Sequence, residues 1–389
     1  MELDYTWVSS ARAVNDPNDL IKAYGPQGQD QLRVSQIQPT ANEVIDLRKD
    51  EKTVSLTPTM PMRLIEPIAS TASRAPVGTG VAWGVELLAA NQSRFDGQGA
   101  VVAVLDTGIA STHMAFARSA VIVENFTSDD NVVDANGHGT HCAGTVAGDM
   151  VDGIRIGIAP GIDKLLCGKV LTDDGQGSTT AIVKGVQWAS MQGAQVISMS
   201  LGIDFPGYVE NLHKMRGLEL KAAVSLALQA YVSNIDMFSR LGDSLSALSY
   251  IGQGSLLIGA AGNESKRPHF TIGTSPPAVA SSVVSVSAID QQMQAAEFSN
   301  TDADVCAPGV DIASAGLDGG IAVLSGTSMA APHVAGVAAL WVQKFLESDQ
   351  IPGVEQLKSA LYSRMTTAAN LPSGNESDVG RGLVLAPLL

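Results

Sequence analysis

The sequence predicts an α/β protein of three layers, with a mostly parallel central sheet, helices on both faces and a small N-terminal segment of different texture ahead of it. Three observations carry that reading. Short aliphatic runs, apolar throughout rather than alternating, recur beyond residue 80, as strands buried on both faces require. Stretches of helical periodicity lie between them, the alternation that right-handed βαβ units produce. Hydrophobic residues reach 45% while aromatics are only 5%, and there are 39 glycines, which suits aliphatic layers joined by tight turns.

Residues 1–75 differ from the rest. They hold a polar run at 25–31 and short extended candidates at 32–37, 53–56 and 62–65. Small residues fill 69–80, which reads as a linker and places a boundary at 75/76. The second unit, 76–389, opens its strand series at 100–105 (AVVAVL) and continues at 121–123, 165–171, 195–201, 256–261 and 283–288. Helical patterns are expected at 138–147, 179–192, 218–231 and 237–251, the last two separated by 232–236 (VSNID). A final apolar helix begins at Gly326–Ser328, and Pro332 is expected in its first turn, where a missing N–H does no harm.

Charge and composition narrow the function. Lys and Arg number 24 against 39 Asp and Glu, a net charge of −15, which argues against nucleic acid or an anionic membrane as the main partner. Three cysteines in 389 residues do not make a disulfide scaffold. The first residues show no basic and apolar leader, and no apolar run reaches the ~18 residues of a membrane span. The expected location is the cytoplasm, or outside the cell if the sequence starts after a removed leader.

Four polar residues then stand out, each just past a strand or at a helix start, where open α/β sheets place their sites. Asp106 ends the 100–105 run and precedes Gly108. His138 opens a helix within Asn136-Gly137-His138-Gly139-Thr140-His141. Asn263 follows Ala261 and Gly262, past the 256–261 run, and Ser328 lies at the start of the last helix. Singly, each has an ordinary reading as a turn residue or a helix cap. A zinc pair at His138 and His141 is disfavoured, because helical pairs are spaced by four with a glutamate between. Together the four supply a nucleophile, a base, a carboxylate to orient the base, and an oxyanion donor, in the order Asp…His…Ser.

These stretches resemble the subtilisin-like serine proteases, or subtilases: 103–109 (AVLDTGI), 137–141 (GHGTH) and 326–330 (GTSMA), supported by Ser200-Leu201-Gly202, Ala261-Gly262-Asn263 and Ala307-Pro308-Gly309. The resemblance covers roughly residues 80–389. It implies a subtilisin-like fold and a serine endopeptidase, either a general degrader or the dedicated processing protease of one precursor. Ser328 would be the nucleophile, His138 the general base and then acid, Asp106 its orienting carboxylate, and Asn263 with the Ser328 N–H the oxyanion hole. His141 and His333 would be structural. The polypeptide substrate would pair as an added strand with Ser200, Leu201 and Gly202 on one side and Gly175, Gln176 and Gly177 on the other. The S1 pocket would lie between 200–202 and Ala260, Ala261 and Gly262, with Thr274 or Ser275 near its floor. No charge lines that pocket, so an uncharged P1 residue is expected.

The resemblance also implies features that this sequence alters. Cys142 resembles the thiol beneath the catalytic histidine in the proteinase K-like branch, with a small buried hydrophobe as the alternative. The chemistry requires no cofactor. The tight calcium site of many subtilases is expected to be absent, because Ala115 replaces its Asp and Arg155 brings a positive charge into its loop. Asp304 matches the carboxylate of a second, weaker calcium site, or is a merely solvated surface Asp. An insertion around 233–249 departs from a connection beside the S1 pocket, and either restricts access or decorates the surface. Residues 1–75 resemble a prodomain, which would inhibit until cut within 68–80, or stay attached. Two other readings are disfavoured. A non-catalytic binding module would not fill all four positions, and an α/β-hydrolase esterase needs its Asp and His after the serine, where His333 is too close.

Overall fold

The computed structural model describes residues 3–10, 32–69 and 80–388. The polar run at 25–31 and the boundary at 75/76 lie outside them. The central sheet runs, edge to edge, Met365–Thr367, Gly382–Val384, Val305–Pro308, Val283–Ile289, Leu256–Ala260, Val196–Met199, Val101–Asp106, Lys164–Lys169 and Ala120–Asn125. All neighbouring pairs are parallel except Met365–Thr367 against Gly382–Val384. The aliphatic runs thus form the interior strands, buried on both faces as their lack of alternation requires, except 121–123, which lies in the partly buried edge strand Ala120–Asn125.

Two apolar clusters fill the two faces. One holds Cys142, Val146 and the small residues of the helix Thr327–Leu346, including Ala330, Ala331, Ala335 and Ala338. The other joins Leu105, Leu166 and Ile197 to the helices Thr179–Met191 and Leu220–Ala247. N-terminal residues belong to this second cluster, among them Val8, Met60, Met62 and Leu64.

The N-terminal segment forms a three-stranded antiparallel sheet of Arg33–Ile37, Tyr5–Ser9 and Thr53–Pro58, with the helix Ala41–Lys49. That helix starts in a capping box, in which Thr40 and Glu43 satisfy each other's backbone N–H groups. The sheet rests on the larger C-terminal unit through polar as well as apolar contacts. Thr6 Oγ1 lies 2.7 Å from Thr180 Oγ1, and Asn234 Nδ2 donates to Pro58 O at 3.0 Å.

Two expectations need correction. The patterns at 218–231 and 237–251 are one 28-residue helix, Leu220–Ala247, followed by the short turn Leu248–Ile251. The intervening Val, Ser, Asn and Asp are weak helix formers, which suggests a break. The buried stripe nevertheless runs on through Ala223, Ala227, Ala230, Asn234, Met237, Leu241 and Leu245. Asn234 keeps its place because its amide also donates to Ala230 O at 2.8 Å. The expected insertion is therefore the second half of a long helix. Pro332, in turn, lies inside the last helix, at its sixth residue rather than in the first turn.

Candidate active site

Asp106 is the last residue of a central strand, and the helix His138–Ala147 packs across the turn that follows it. The approach is close enough that a Cβ at Gly139 would lie 2.3 Å from Gly108 O, so only glycine fits. His138 Nδ1 and Asp106 Oδ1 are 2.8 Å apart, and Thr107 N donates to the same oxygen at 2.8 Å. Both side chains are almost fully buried.

Asp134, which sequence reasoning did not single out, ties these pieces together. Its Oδ1 accepts from Thr107 Oγ1, Asn136 N and Gly137 N, and its Oδ2 from Thr140 N and Oγ1, all within 3.1 Å. One buried carboxylate thus binds the Asp106 turn to the first turn of the His138 helix, where negative charge is also favoured. Lys169 is a second such residue. Its fully buried ammonium donates to Thr107 O at 2.7 Å and pairs with Asp173 and Asp129. Asp134 lies just ahead of the His138 motif, but Lys169 is next to neither motif in the sequence, and only the fold brings it to Thr107.

Ser328 is the second residue of its helix, after Gly326 as cap and Thr327. Pro332 has no N–H to give to Ser328 O, the bond an ordinary residue would make. That carbonyl instead accepts from Cys142 Sγ at 3.3 Å and Ser200 Oγ at 3.1 Å. The Cys142 sulfur also lies 3.7 Å from His138 Nδ1, so the thiol sits beneath the histidine. Asn263 is oriented by Thr327, whose N and Oγ1 donate to Asn263 Oδ1 at 2.9 and 3.0 Å. Thr327 Oγ1 accepts in turn from Gly262 N at 3.1 Å. The Asn263 amide nitrogen is left to face the cleft.

The cleft is filled by the protein's own chain. The strand Pro61–Leu64 lies between Gln176–Ser178 and Leu201–Ile203, antiparallel to both. Arg63 pairs with Gln176 and Gly202, Met62 with Gly177 and Ile203, and Leu64 N donates to Gly175 O at 2.8 Å. The predicted flanking residues thus hold an extended segment, while the Ser200 side chain turns inward to Ser328 O. Beyond the strand, Ile65 is buried against Gly202, where a Cβ would lie 3.7 Å from Ile65 Cγ1 and 3.2 Å from Ser275 Oγ. Ser275 N donates to Ala261 O, which closes the pocket between the two expected walls. Ser328 Oγ donates to Ile65 O at 3.2 Å, and Asn263 Nδ2 to Glu66 O at 2.9 Å. His138 Nε2 is buried without a protein partner.

Burial works against a charged His138, but the Asp106 carboxylate outweighs it and holds the imidazole well above its ordinary pKa. Burial raises the Cys142 thiol, so it is a neutral S–H donor. His141 and His333 lie apart from this pair. His141 Nε2 is 2.9 Å from Ile312 O, His333 Nδ1 is 2.7 Å from Met329 O, and burial pushes them down to about 3 and about 4.

Asp304 Oδ2 accepts from Ser285 N and Oγ, both at 2.9 Å. The Arg155 guanidinium donates to Gly157 O at 3.1 Å and Ile158 O at 2.7 Å, satisfying carbonyls in the loop after the His138 helix. Among the described residues, the one group of three or more His, Cys, Asp and Glu with converging ligand atoms is Asp106, His138 and Cys142, the site itself.

A doubly covered parallel sheet, a buried carboxylate–imidazole pair and a serine at a helix start, beside a cleft that binds extended chain, define a serine peptidase of the α/β type. The chain belongs to the subtilase family, Peptidase S8, whose model matches residues 97–382. Subtilisin DY of Bacillus licheniformis is 35% identical over 311 residues, 78% of this chain and 96% of that protein. An intracellular serine protease of Paenibacillus polymyxa is 35% identical over 322 residues, covering 77% and 84%. The crystal structure of a cold adapted subtilisin-like serine proteinase superposes with a TM-score of 0.57 at 30% identity, over 80% of this chain and all of that one. The protein is a subtilisin-like serine endopeptidase.

Proposed function

We propose that Ser328, His138, Asp106 and Asn263 carry out the hydrolysis, and that residues 61–66 inhibit it by lying in the substrate's place. Ser328 Oγ attacks the scissile carbonyl carbon while His138 Nε2 takes its proton. Asp106 stabilises the imidazolium at Nδ1. The Asn263 amide and the Ser328 N–H stabilise the oxyanion. His138 then gives the proton to the leaving amine, and water releases the acyl group by the reverse sequence.

One observation supports the inhibitory reading most. The segment runs as a substrate strand with Ile65 in the first pocket, yet the carbonyl at Asn263 is that of Glu66, one residue beyond. The Ile65 carbonyl meets the serine hydroxyl and not the amide that would stabilise its oxyanion. The cleft is filled without presenting the Ile65–Glu66 bond for attack. Pro67 restrains Glu66 to extended backbone and so supports this path. The cut that frees the enzyme is assigned to 68–80, and the enzyme makes it on itself. The occupant also favours an uncharged, aliphatic P1 residue.

Peptides with Ile or Leu at P1 should be cut faster than those with Lys or Arg, and Ser328→Ala should abolish both cleavage and fluorophosphonate labelling. Tight selectivity for Lys or Arg would sink the P1 reading. Loss of the N-terminal segment from Ser328→Ala during purification would rule out self-processing. The chemistry is assigned no cofactor. A weak calcium at Asp304 remains part of the proposal, and a melting temperature unmoved by calcium titration would remove it. No helix among the described residues is long and apolar enough to cross a membrane. We place the enzyme in the cytoplasm, a reading supported by intracellular serine proteases among its relatives.

A further inference from the structure

Arg63 is the third residue back from the Ile65–Glu66 bond, counting Ile65 as P1, and its side chain is the exposed one of the strand, between the buried Met62 and Leu64. It extends on the same side as Ile65, as period-2 alternation requires. Two carboxylates from different parts of the fold meet it there. Asp204 Oδ1 lies 3.6 Å from Arg63 Nη1, and Glu264 Oε1 lies 4.0 Å from Nη2. Neither carboxylate is loose. Asp204 caps the short helix Phe205–Glu210 through Gly207 N at 3.1 Å, and Glu264 Oε2 accepts from Asn300 Nδ2 at 2.8 Å. Both are positioned by the protein and keep charge free for what lies in the cleft.

We propose that Asp204 and Glu264 form an acidic clamp over the third substrate position, so that the enzyme selects peptides with a basic residue at P3. The inference rests on the protease reading and deepens it. It assigns specificity to residues beyond the first pocket, which takes an aliphatic side chain. The same clamp helps to hold the inhibitory strand, so substrates and inhibitor share one recognition code: apolar at P4, P2 and P1, basic at P3. The pair is partly exposed, so its effect is modest and screened by salt.

The test compares kcat/KM of the full chain for peptides Met-Xaa-Leu-Ile, extended beyond the scissile bond, with Arg, Ala or Glu as Xaa. A ratio between peptides does not depend on what fraction of the enzyme has an open cleft. Arg should exceed Ala by roughly three- to tenfold at low salt, with Glu below Ala. Asp204→Asn with Glu264→Gln, which retains cap and amide contacts, should bring the ratio to about one. A wild-type ratio near one, or a ratio unchanged in the double variant, overturns the clamp. If no peptide is cut, the strand has kept the cleft closed, and the clamp is judged without catalysis, by amide exchange at Leu64 in full-length Ser328→Ala. There Arg63→Ala and Asp204→Asn/Glu264→Gln should each speed exchange, and their combination should add nothing further. Exchange indifferent to both, or fully additive, also overturns it.

Discussion

At Ser328 the proposed nucleophile and the helix defect are linked. Pro332 strips Ser328 O of its helical partner, and the Cys142 thiol and Ser200 hydroxyl replace it. Cys142→Ala removes one of these donors, so a loss of about 1 kcal/mol is expected in urea unfolding, together with loss of sensitivity to organomercurials. A fully sensitive variant would show that mercurials act at Cys167 or Cys306 instead. Asn263 is expected to act in the transition state alone. Asn263→Ala should lower kcat about a hundred- to a thousandfold, the range measured for the corresponding donor in subtilisin, with KM little changed. His138 must be neutral to accept the serine proton. Since Asp106 holds its pKa up, activity should rise with pH through a midpoint above the ordinary histidine value of about 6.5. A midpoint at or below that value would contradict the assignment.

Among the elements, the contact between the Asp106 turn and the His138 helix depends on Asp134. Asp134→Ala would leave five donors of that contact without their acceptor. A destabilisation of about 3 kcal/mol is expected, with a larger proportional loss in kcat than in KM as the His138–Asp106 alignment loosens. An unfolding midpoint within error of wild type would show the network to be dispensable. The helix Leu220–Ala247 shows the same logic in its buried Asn234, which bridges Ala230 O to Pro58 O and so joins the helix to the N-terminal sheet.

For the molecule as a whole, the N-terminal segment occupies the cleft through one strand and one pocket, and the proposed inhibition predicts what freeing it would do. Leu64→Asp places a charge among buried apolar neighbours and should release the strand. Fluorophosphonate labelling of Ser328 should then be faster than in the wild type, and an unchanged rate would mean that the segment is not what limits access. Acid stability belongs to this scale too. His141 and His333 are held neutral at pKa values of about 3 and about 4, so below about pH 6.5 the unfolded chain binds more protons than the folded one. Their contribution is lost as pH falls through that window. His138 acts in the opposite sense, since its raised pKa favours the folded state below 6.5 and that benefit disappears as pH rises through its folded value. His333→Gln should therefore flatten the fall in melting temperature between pH 6.5 and 4, and an unaltered slope would refute the assignment.

The aliphatic runs, the glycine-flanked Asp106 and His138, and the serine at a helix start determined the sheet, its helical layers and the candidate chemistry. These are local signals, because a strand buried on both faces and a side chain at a strand end are written in consecutive residues. The helix 138–147 and the strands at 32–37 and 62–65 were legible for the same reason. Asp134, Lys169 and Thr327 were not, because a buried charge or hydroxyl reads locally as an ordinary polar residue until its partners, distant in sequence, surround it. The continuity of Leu220–Ala247 was decided by packing against the N-terminal sheet, which outweighs weak local propensity. Only the tertiary structure could bring residues 61–66 onto a cleft formed by 175–178 and 200–203. Strand pairing leaves no motif in either partner, since any extended backbone can supply it, and the register is set by which side chains find pockets.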